Sequence, residues 1–216
     1  RGLKQQAIDT AEAGDIVSLA GMSKATVADT IADQSVEDPI PAQPIDPPTI
    51  TVTFGINDSP LAGRDGKKVQ SRVIRDRLLK ECESNVAIKM VDTPGGEAFD
   101  VSGRGELQMG VLIENMRREG FELSISRPRV IYKDVDGVKN EPIEEVTIDV
   151  DEEFSGAVIE KLSSRKGEMV DLKSSGSGKT RIIALVPSRG LIGYHSEFMT
   201  DTRGTGILNR VFHSWS

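Results

Sequence analysis

Apolar residues follow two regular spacings after residue 48, and these spacings predict the helices and strands. Between residues 49 and 57 apolar and polar residues alternate, which is typical of a strand with one buried face. Between residues 67 and 84 they recur every three or four positions, which predicts a helix packed on one side. The same rules give a strand at 49–57, a helix at 67–84, strands at 87–91 and 98–102, a helix at 106–119 and a strand at 121–125.

The order strand, helix, strand, strand, helix, strand is that of the ferredoxin-like, split βαβ sandwich. In this fold one antiparallel sheet carries both helices on the same face. Thr49, Thr51 and Thr53 fall on the polar side of the first strand. We therefore expect the other face of the sheet to be free to meet a partner or solvent.

A second run of elements with the same order follows the first. The pattern predicts strands at 129–133 and 146–150, a helix at 155–168, strands at 169–173 and 181–186, a helix at 188–202 and a strand at 206–212. No residue-level identity links the two halves, so the repeat is one of architecture. The expected fold class is α+β, with two successive ferredoxin-like βαββαβ sandwiches.

The beginning of the chain has a different character. Residues 1–38 are typical of short strands joined by turns, with candidate strands at 14–19 and 27–31. Five prolines then fall within residues 38–48, which excludes a helix or a central strand and indicates a stiff, extended connector. The expected domains are a partial β-barrel with this linker at 1–46, one sandwich at 47–128 and another at 129–216.

Composition and charge narrow the range of functions. Hydrophobic residues make up 37% and charged residues 28% of the 216 positions, and no apolar run reaches the roughly 20 residues needed to cross a membrane. A single cysteine excludes an internal disulfide framework, and no signal-peptide pattern opens the chain, so we expect a cytoplasmic protein. The net charge of −7 argues against non-specific coating of nucleic acid but allows a local basic face.

One segment, Gly178-Lys179-Thr180, resembles the end of a phosphate-binding loop. The full motif requires a glycine five residues before the second glycine, where this chain has Lys173. It also requires a helix afterwards, where the pattern predicts a strand. A hairpin loop is the favoured interpretation, and a hydrolase that uses this loop is a remote alternative that nucleotide binding would revive.

Two glycine-flanked arginines stand at predicted helix starts. Arg104 lies within residues 102–107, and Arg189 lies within residues 187–193, where Ser188 is a candidate N-cap. The start of a helix attracts anions, so each turn is suited to present its arginine to RNA phosphate.

Each of these turns also has a plainer interpretation. The first is an ordinary strand-to-helix turn with Glu106 in the first helical turn, where the helix dipole favours a carboxylate. In the second, Arg189 forms an ion pair with Glu197 or another carboxylate. The sequence leaves these alternatives open.

Catalytic and metal-binding patterns are not recognisable. His195, His213 and Cys82 do not have the spacing of metal ligands, and no nucleophile with its base can be assembled. The apolar stripe that contains Cys82 favours a packed core thiol. An RNA-recognition sheet stacks bases on several aromatic residues, whereas the corresponding strand here offers only Phe99.

Two long motifs resemble one protein family. Residues 102–107 together with 111–123 are similar to the third domain of the TypA/BipA translational GTPases. Residues 187–193 together with 196–200 resemble that family's version of the domain that is fifth in elongation factor G. These motifs are long enough to be specific.

Shorter matches extend the resemblance over nearly the whole chain. Residues 141–146 resemble the start of the fifth-type domain, and residues 13–17 resemble the late strands of the second, barrel domain. The resemblance implies that the chain begins inside that barrel and that the family continues past Trp215.

The resemblance also implies an activity for the parent protein, namely GTP hydrolysis with Mg²⁺ on the ribosome, with roles in stress adaptation and ribosome assembly. No phosphate-binding loop, switch segment or guanine-specificity motif is recognisable in these residues. We therefore expect the catalytic residues, GTP and Mg²⁺ to belong to other parts of the parent, and this segment to bind no cofactor.

The resulting hypothesis is a ribosome-binding segment. We expect two rigid sandwiches, joined near Pro128, that dock as a monomer against ribosomal RNA and ribosomal proteins, away from membranes. A tandem small-molecule sensor is the alternative, because paired ferredoxin-like domains often bind metabolites between them. Six basic residues are candidates for phosphate or protein contacts: Arg104, Arg117, Arg118, Arg127, Lys166 and Arg189.

Overall fold

The computed structural model describes residues 7–22, 25, 29–42, 45–174 and 176–216. The chain divides into two compact units, Arg1–Pro44 and Ile45–Ser216. The division falls inside the proline-rich connector. Within the described ranges, none of the helices is both long enough and apolar enough to span a bilayer.

In the first unit, the described residues form turns and irregular backbone. The N–H group of Glu12 donates to the carboxylate of Asp15 at 3.0 Å and closes one turn. The strand predicted at 14–19 is not formed, because no described residue of this unit pairs with it in a hydrogen-bonded ladder. The strand predicted at 27–31 lies partly outside the described residues, and its last three residues are not a strand.

The second unit begins with a five-stranded antiparallel sheet and two helices. Its four main strands lie in the order β2-β3-β1-β4, and the short β5 also pairs with β1. The elements are β1 (Ile50–Ile56), α1 (Ser71–Ser84), β2 (Lys89–Asp92), β3 (Ala98–Gly103), α2 (Glu106–Arg118), β4 (Leu123–Ile125) and β5 (Arg129–Val130).

Alternation along β1 and β3 places the apolar side chains of both strands on one face. Val52 is opposite Val101, and Phe54 is opposite Phe99, with all four side chains buried under the two helices. Thr49 is an exception to the prediction, because it is only 3% exposed and its hydroxyl donates to a backbone carbonyl across the sheet. A buried hydroxyl needs such a partner.

The chain then forms a small hairpin and a second, four-stranded antiparallel sheet in the order β11-β8-β10-β9. The hairpin strands are β6 (Lys133–Val135) and β7 (Val138–Asn140). The later elements are β8 (Pro142–Asp151), α3 (Glu152–Ser164), β9 (Glu168–Ser174), β10 (Lys179–Pro187), α4 (Ser188–Leu191), α5 (Tyr194–Asp201) and β11 (Ile207–Trp215).

The second sheet has a hydrophobic core of its own. The buried positions of β8 alternate with half-exposed ones, so that Val146, Ile148 and Val150 face the helices. Val158 and Leu162 of α3 pack on them one turn apart. The helix–strand order expected from the sequence is thus observed in both sheets, although the ends of several elements differ.

Two differences from the predicted elements have clear causes. The strand predicted at 129–133 does not open the second sheet, because Arg129 pairs with Thr51 and the N–H of Ile131 donates to Thr49 in the first sheet. The helix predicted at 188–202 is broken into α4 and α5. Gly193 adopts φ 73° between them, a left-handed conformation that only glycine enters without strain.

Candidate functional site

The turn around Arg104 is built by the end of β3 and the start of α2. The backbone N–H of Arg104 donates to the side-chain oxygen of Gln108 at 2.8 Å, which fixes the turn. The Arg104 guanidinium is exposed and its Nε donates to the carbonyl of Asp46 at 3.2 Å. Among the described residues no carboxylate neutralises it.

The second arginine turn packs differently from the prediction. Ser188 does not cap α4, because its hydroxyl donates to the buried carboxylate of Glu144 at 2.6 Å. Arg189 is held by Glu141, with Nε at 2.7 and 3.0 Å from the two carboxylate oxygens. The predicted ion pair of Arg189 therefore exists with Glu141 and not with Glu197.

These two turns meet each other. Both carboxylate oxygens of Glu106, at the start of α2, accept the N–H of Gly193 at 3.1 Å, between α4 and α5. On the same boundary, Arg210 of β11 packs so closely on Gly105 that a side chain there would overlap its guanidinium. We call Gly105, Glu106, Gly193 and Arg210 the junction, since they join the first sheet's helix to the second sheet.

A buried carboxylate continues the junction into the second sheet. Glu144 is 4% exposed. Its carboxylate accepts a hydrogen bond from the Ser188 hydroxyl and lies 3.5 Å from Nε of Arg210. Burial raises the pKa of Glu144, and the Ser188 and Arg210 contacts only partly offset this effect. The ionised form of Glu144 is therefore less favourable in the folded chain than the protonated form.

This arrangement predicts a pH dependence for Glu144→Gln. A carboxyl group whose pKa is raised by folding favours the folded state most below its unfolded pKa, and this contribution is lost as the pH rises through the folded pKa. We expect the wild type to lose stability relative to Glu144→Gln as the pH rises above 4.5, the ordinary pKa of a glutamate side chain. Urea denaturation across this range measures the difference.

Glu145→Gln provides the comparison, because Glu145 is the next residue and points to the opposite side of the same strand. It should follow the wild type throughout. Identical pH profiles for the wild type and Glu144→Gln would show that Glu144 does not titrate differently in the folded chain. Glu144→Gln also leaves Arg210 without a carboxylate, which changes the stability of the variant by the same amount at every pH. This constant difference does not alter the shape of its pH profile.

Arg165 holds α4 and α5 against α3. Its guanidinium donates to the carbonyl of Gly190 at 2.8 Å and to the carboxylate of Glu197 at 2.6 Å. The same group lies 5.0 Å from the ring centre of Tyr194. Burial raises the pKa of Tyr194 to about 12, so its phenol stays neutral over the physiological range.

The remaining candidate residues lie apart from the junction or have no carboxylate partner. Arg117 and Arg118, at the far end of α2, share the single carboxylate of Glu114 at 2.8 Å each, which lowers its pKa to about 2. Arg127, between β4 and β5, and Lys166, after α3 with φ 67°, are exposed. Neither has an ion-pair partner within the described ranges.

The structure thus groups three of the six candidates and separates the other three. Arg104 is two residues from Glu106 of the junction, and Arg189 and Lys166 adjoin the Gly190–Arg165 contact. Arg117 and Arg118 lie at the opposite end of α2, a helix of 13 residues. Arg127 lies on the loop beyond β4.

Sequence reasoning missed the residues that hold the turns together. Arg165, Arg210 and Glu144 belong to none of the sites predicted from the sequence. A signal exists for Glu144, because it occupies an inward position of an alternating strand, between Pro142 and Val146. A carboxylate at such a position requires a buried partner.

Other kinds of site receive little support from the described residues. In this part of the chain, no group of three or more His, Cys, Asp or Glu side chains could hold a metal ion. A shallow depression of about 350 Å³ lies on the open face of the first sheet, and not between the sheets. The Gly178-Lys179-Thr180 segment leads directly into β10, so a strand and not a helix follows it.

Comparison with known proteins adds decisive information. Over 215 residues the chain is 50% identical to the large ribosomal subunit assembly factor BipA of Bacillus subtilis strain 168, covering all of the chain and 35% of that protein. The chain is related to the BipA proteins along its whole length. The resemblance inferred from the turn and helix motifs is therefore confirmed.

Further relatives carry the same name. BipA of Haemophilus influenzae is 51% identical over 211 residues, and BipA of Escherichia coli K12 is 49% identical over 211 residues. Each match covers 98% of this chain, and the chain spans 34% and 35% of those proteins. Residues 138–216 also match the family described as elongation factor G C-terminus. That match begins at β7 and includes the whole second sheet.

Proposed function

We propose that this segment docks a BipA-type assembly factor on the large ribosomal subunit, as a monomer in the cytoplasm. Identity of about half the residues to proteins named for that assembly, maintained over the whole chain, carries the proposal. The intact protein would hydrolyse GTP with Mg²⁺ through residues other than these.

The proposal includes a domain organisation. The second unit contains two ferredoxin-like sandwiches, which the sequence predicted at 47–128 and 129–216, and residues 1–46 belong to a barrel domain and its linker. The strand orders of the two sheets and their separate hydrophobic cores support the two sandwiches. The first sandwich extends to Ile131, which hydrogen-bonds to Thr49.

Exposed cations supply the means of docking. Phosphate contacts contribute affinity that depends on salt and little on base sequence. Arg104, Arg127 and Lys166 suit this role, because each is exposed and has no carboxylate partner among the described residues. Arg117 and Arg118 together keep an excess positive charge, since Glu114 is the one carboxylate among the described residues that pairs with them. Arg189 contributes only where phosphate replaces Glu141.

The test uses the full-length protein and purified large ribosomal subunits. We expect the double variant Arg104→Glu, Lys166→Glu to bind about tenfold more weakly in co-sedimentation at moderate salt. The slope of log affinity against log salt should also fall by about 1.5, because two phosphate contacts are lost.

A matched double reversal on α1, Arg72→Glu with Lys80→Glu, changes the net charge equally. Both residues are exposed and lie outside the junction. This variant should bind within about twofold of the wild type. Equal losses in the two double variants would mean that overall charge, and not the junction side of the molecule, governs binding.

A further inference from the structure

The outer face of α2 carries apolar residues that no part of the described chain covers. Leu107 is 81% exposed and Val111 is 53% exposed, and the two lie one helical turn apart. Single exposed apolar residues are ordinary on protein surfaces, but here Gly110 lies beside both on the same side of the helix. Together these residues form the α2 stripe.

Gly110 has no structural role within the described chain. Apart from proline, glycine is the least favourable residue in a helix interior. A glycine that permits close internal packing meets other atoms when a Cβ is added, as Gly190 does against Arg165. A Cβ at Gly110 meets nothing within 4 Å. The helix therefore bears an unfavourable residue that leaves its backbone accessible from outside.

Two arginines continue the α2 stripe toward the end of the helix. Arg117 and Arg118 are 70% and 74% exposed and share one carboxylate, so this end keeps an excess positive charge. With a rise of 1.5 Å per residue, Arg118 lies about 10 Å beyond Val111. The face thus offers an apolar part with an open backbone inside it, followed by a cationic end where both arginines pair with Glu114.

We propose that the α2 stripe is a docking surface for a protein of the ribosomal particle, an inference that rests on the proposed function. The partner would place apolar side chains on Leu107 and Val111 and approach the backbone at Gly110. A carboxylate of the partner, about 10 Å away, would meet the arginines. RNA fits less well, because phosphates would leave the two aliphatic side chains without apolar contact.

The experiment measures binding of the full-length protein to purified large ribosomal subunits. Gly110→Gln inserts a neutral side chain with good helix propensity into the stripe. We expect this variant to bind at least about tenfold more weakly, with an unchanged salt slope. Gly156→Gln is the matched variant, since Gly156 is also an exposed glycine within a helix and has nothing within 4 Å of an added Cβ. It should bind within about twofold of the wild type.

Photo-crosslinking distinguishes the possible occupants. A photoreactive amino acid at position 107 should crosslink to a ribosomal protein when the subunits are irradiated. Crosslinks to RNA, or to another region of the same polypeptide, would overturn the inference. Equal binding by Gly110→Gln and Gly156→Gln would do so as well.

The outcomes separate this inference from the proposed function. If the wild-type protein does not bind large subunits, the proposed function fails. If the wild type binds and only the Arg104 and Lys166 reversals weaken binding, the proposed function stands and the α2 stripe is not a docking surface.

Discussion

Replacing Gly190 with alanine should lower the free energy of unfolding by about 3 kcal/mol. The added methyl group would overlap the backbone carbonyl oxygen of Arg165 and come within 3.4 Å of Val186. Backbone atoms cannot rotate away as a flexible side chain can, so α4 must shift. The shift also weakens the 2.8 Å hydrogen bond from Arg165 to the carbonyl of Gly190.

The same substitution at Gly156 should have the opposite sign. Gly156 lies inside α3 with open space around an added Cβ, so alanine should raise stability by about 0.5–1 kcal/mol through helix propensity alone. Urea denaturation of the two variants beside the wild type measures both effects. If Gly190→Ala is as stable as the wild type, the close packing of α4 on Arg165 is not present in solution.

Replacing Arg165 with methionine should lower the free energy of unfolding by about 2–3 kcal/mol. Methionine keeps much of the aliphatic stem but cannot donate to Gly190 or Glu197. The partly buried carbonyl of Gly190 then loses its charged donor, and an acceptor left without a donor costs more than the average hydrogen bond contributes. The contact between the guanidinium and the ring of Tyr194 is lost as well.

Lys161→Met is the control, because Lys161 is the other cation that pairs with Glu197. Lys161 also pairs with Glu197, but its side chain is 43% exposed, against 27% for Arg165. An exposed pair of this kind contributes little to stability. Thermal and urea denaturation should therefore rank Arg165→Met well below Lys161→Met in stability. Similar losses for both would show that the carboxylate of Glu197, and not the carbonyl of Gly190, is the important acceptor.

Elements with a strong local pattern could be predicted from the sequence. The alternation in β1 and the helical spacing in α2 are properties of consecutive residues, and both elements lie within a few residues of their predicted bounds. Element ends depend on single residues, and so they were less accurate. The helix predicted at 155–168 forms from Glu152 and ends at Ser164, before the left-handed Lys166.

The junction could not be predicted, because it depends on residues far apart in the chain. Glu106 and Gly193 are 87 residues apart, and no periodicity relates their positions. The sequence treats the two arginine turns separately, each either as a helix start open to an anion or as a turn with an ordinary internal role. In the folded chain the carboxylate of Glu106 fills this role at Gly193, so an internal group occupies the place expected for a ligand.

Ser188 illustrates the same limit. A serine before a helical pattern is a good N-cap candidate by local rules. Its hydroxyl instead donates to Glu144, 44 residues away. A buried carboxylate without a donor costs more free energy than a short helix without an N-cap. The capping preference of Ser188 is therefore outweighed by the need of Glu144, a residue distant in sequence, for a hydrogen-bond donor.

The position of α2 has a mechanical consequence. The carboxylate of its first residue, Glu106, accepts the N–H of Gly193 between α4 and α5, and its last turn carries the exposed pair Arg117 and Arg118. A helix of 13 residues is a stiff rod about 20 Å long. A tilt of about 5° imposed at the arginine end moves that end by about 2 Å relative to the other. A displacement at the arginine end is therefore transmitted along the helix to the hydrogen bond between Glu106 and Gly193.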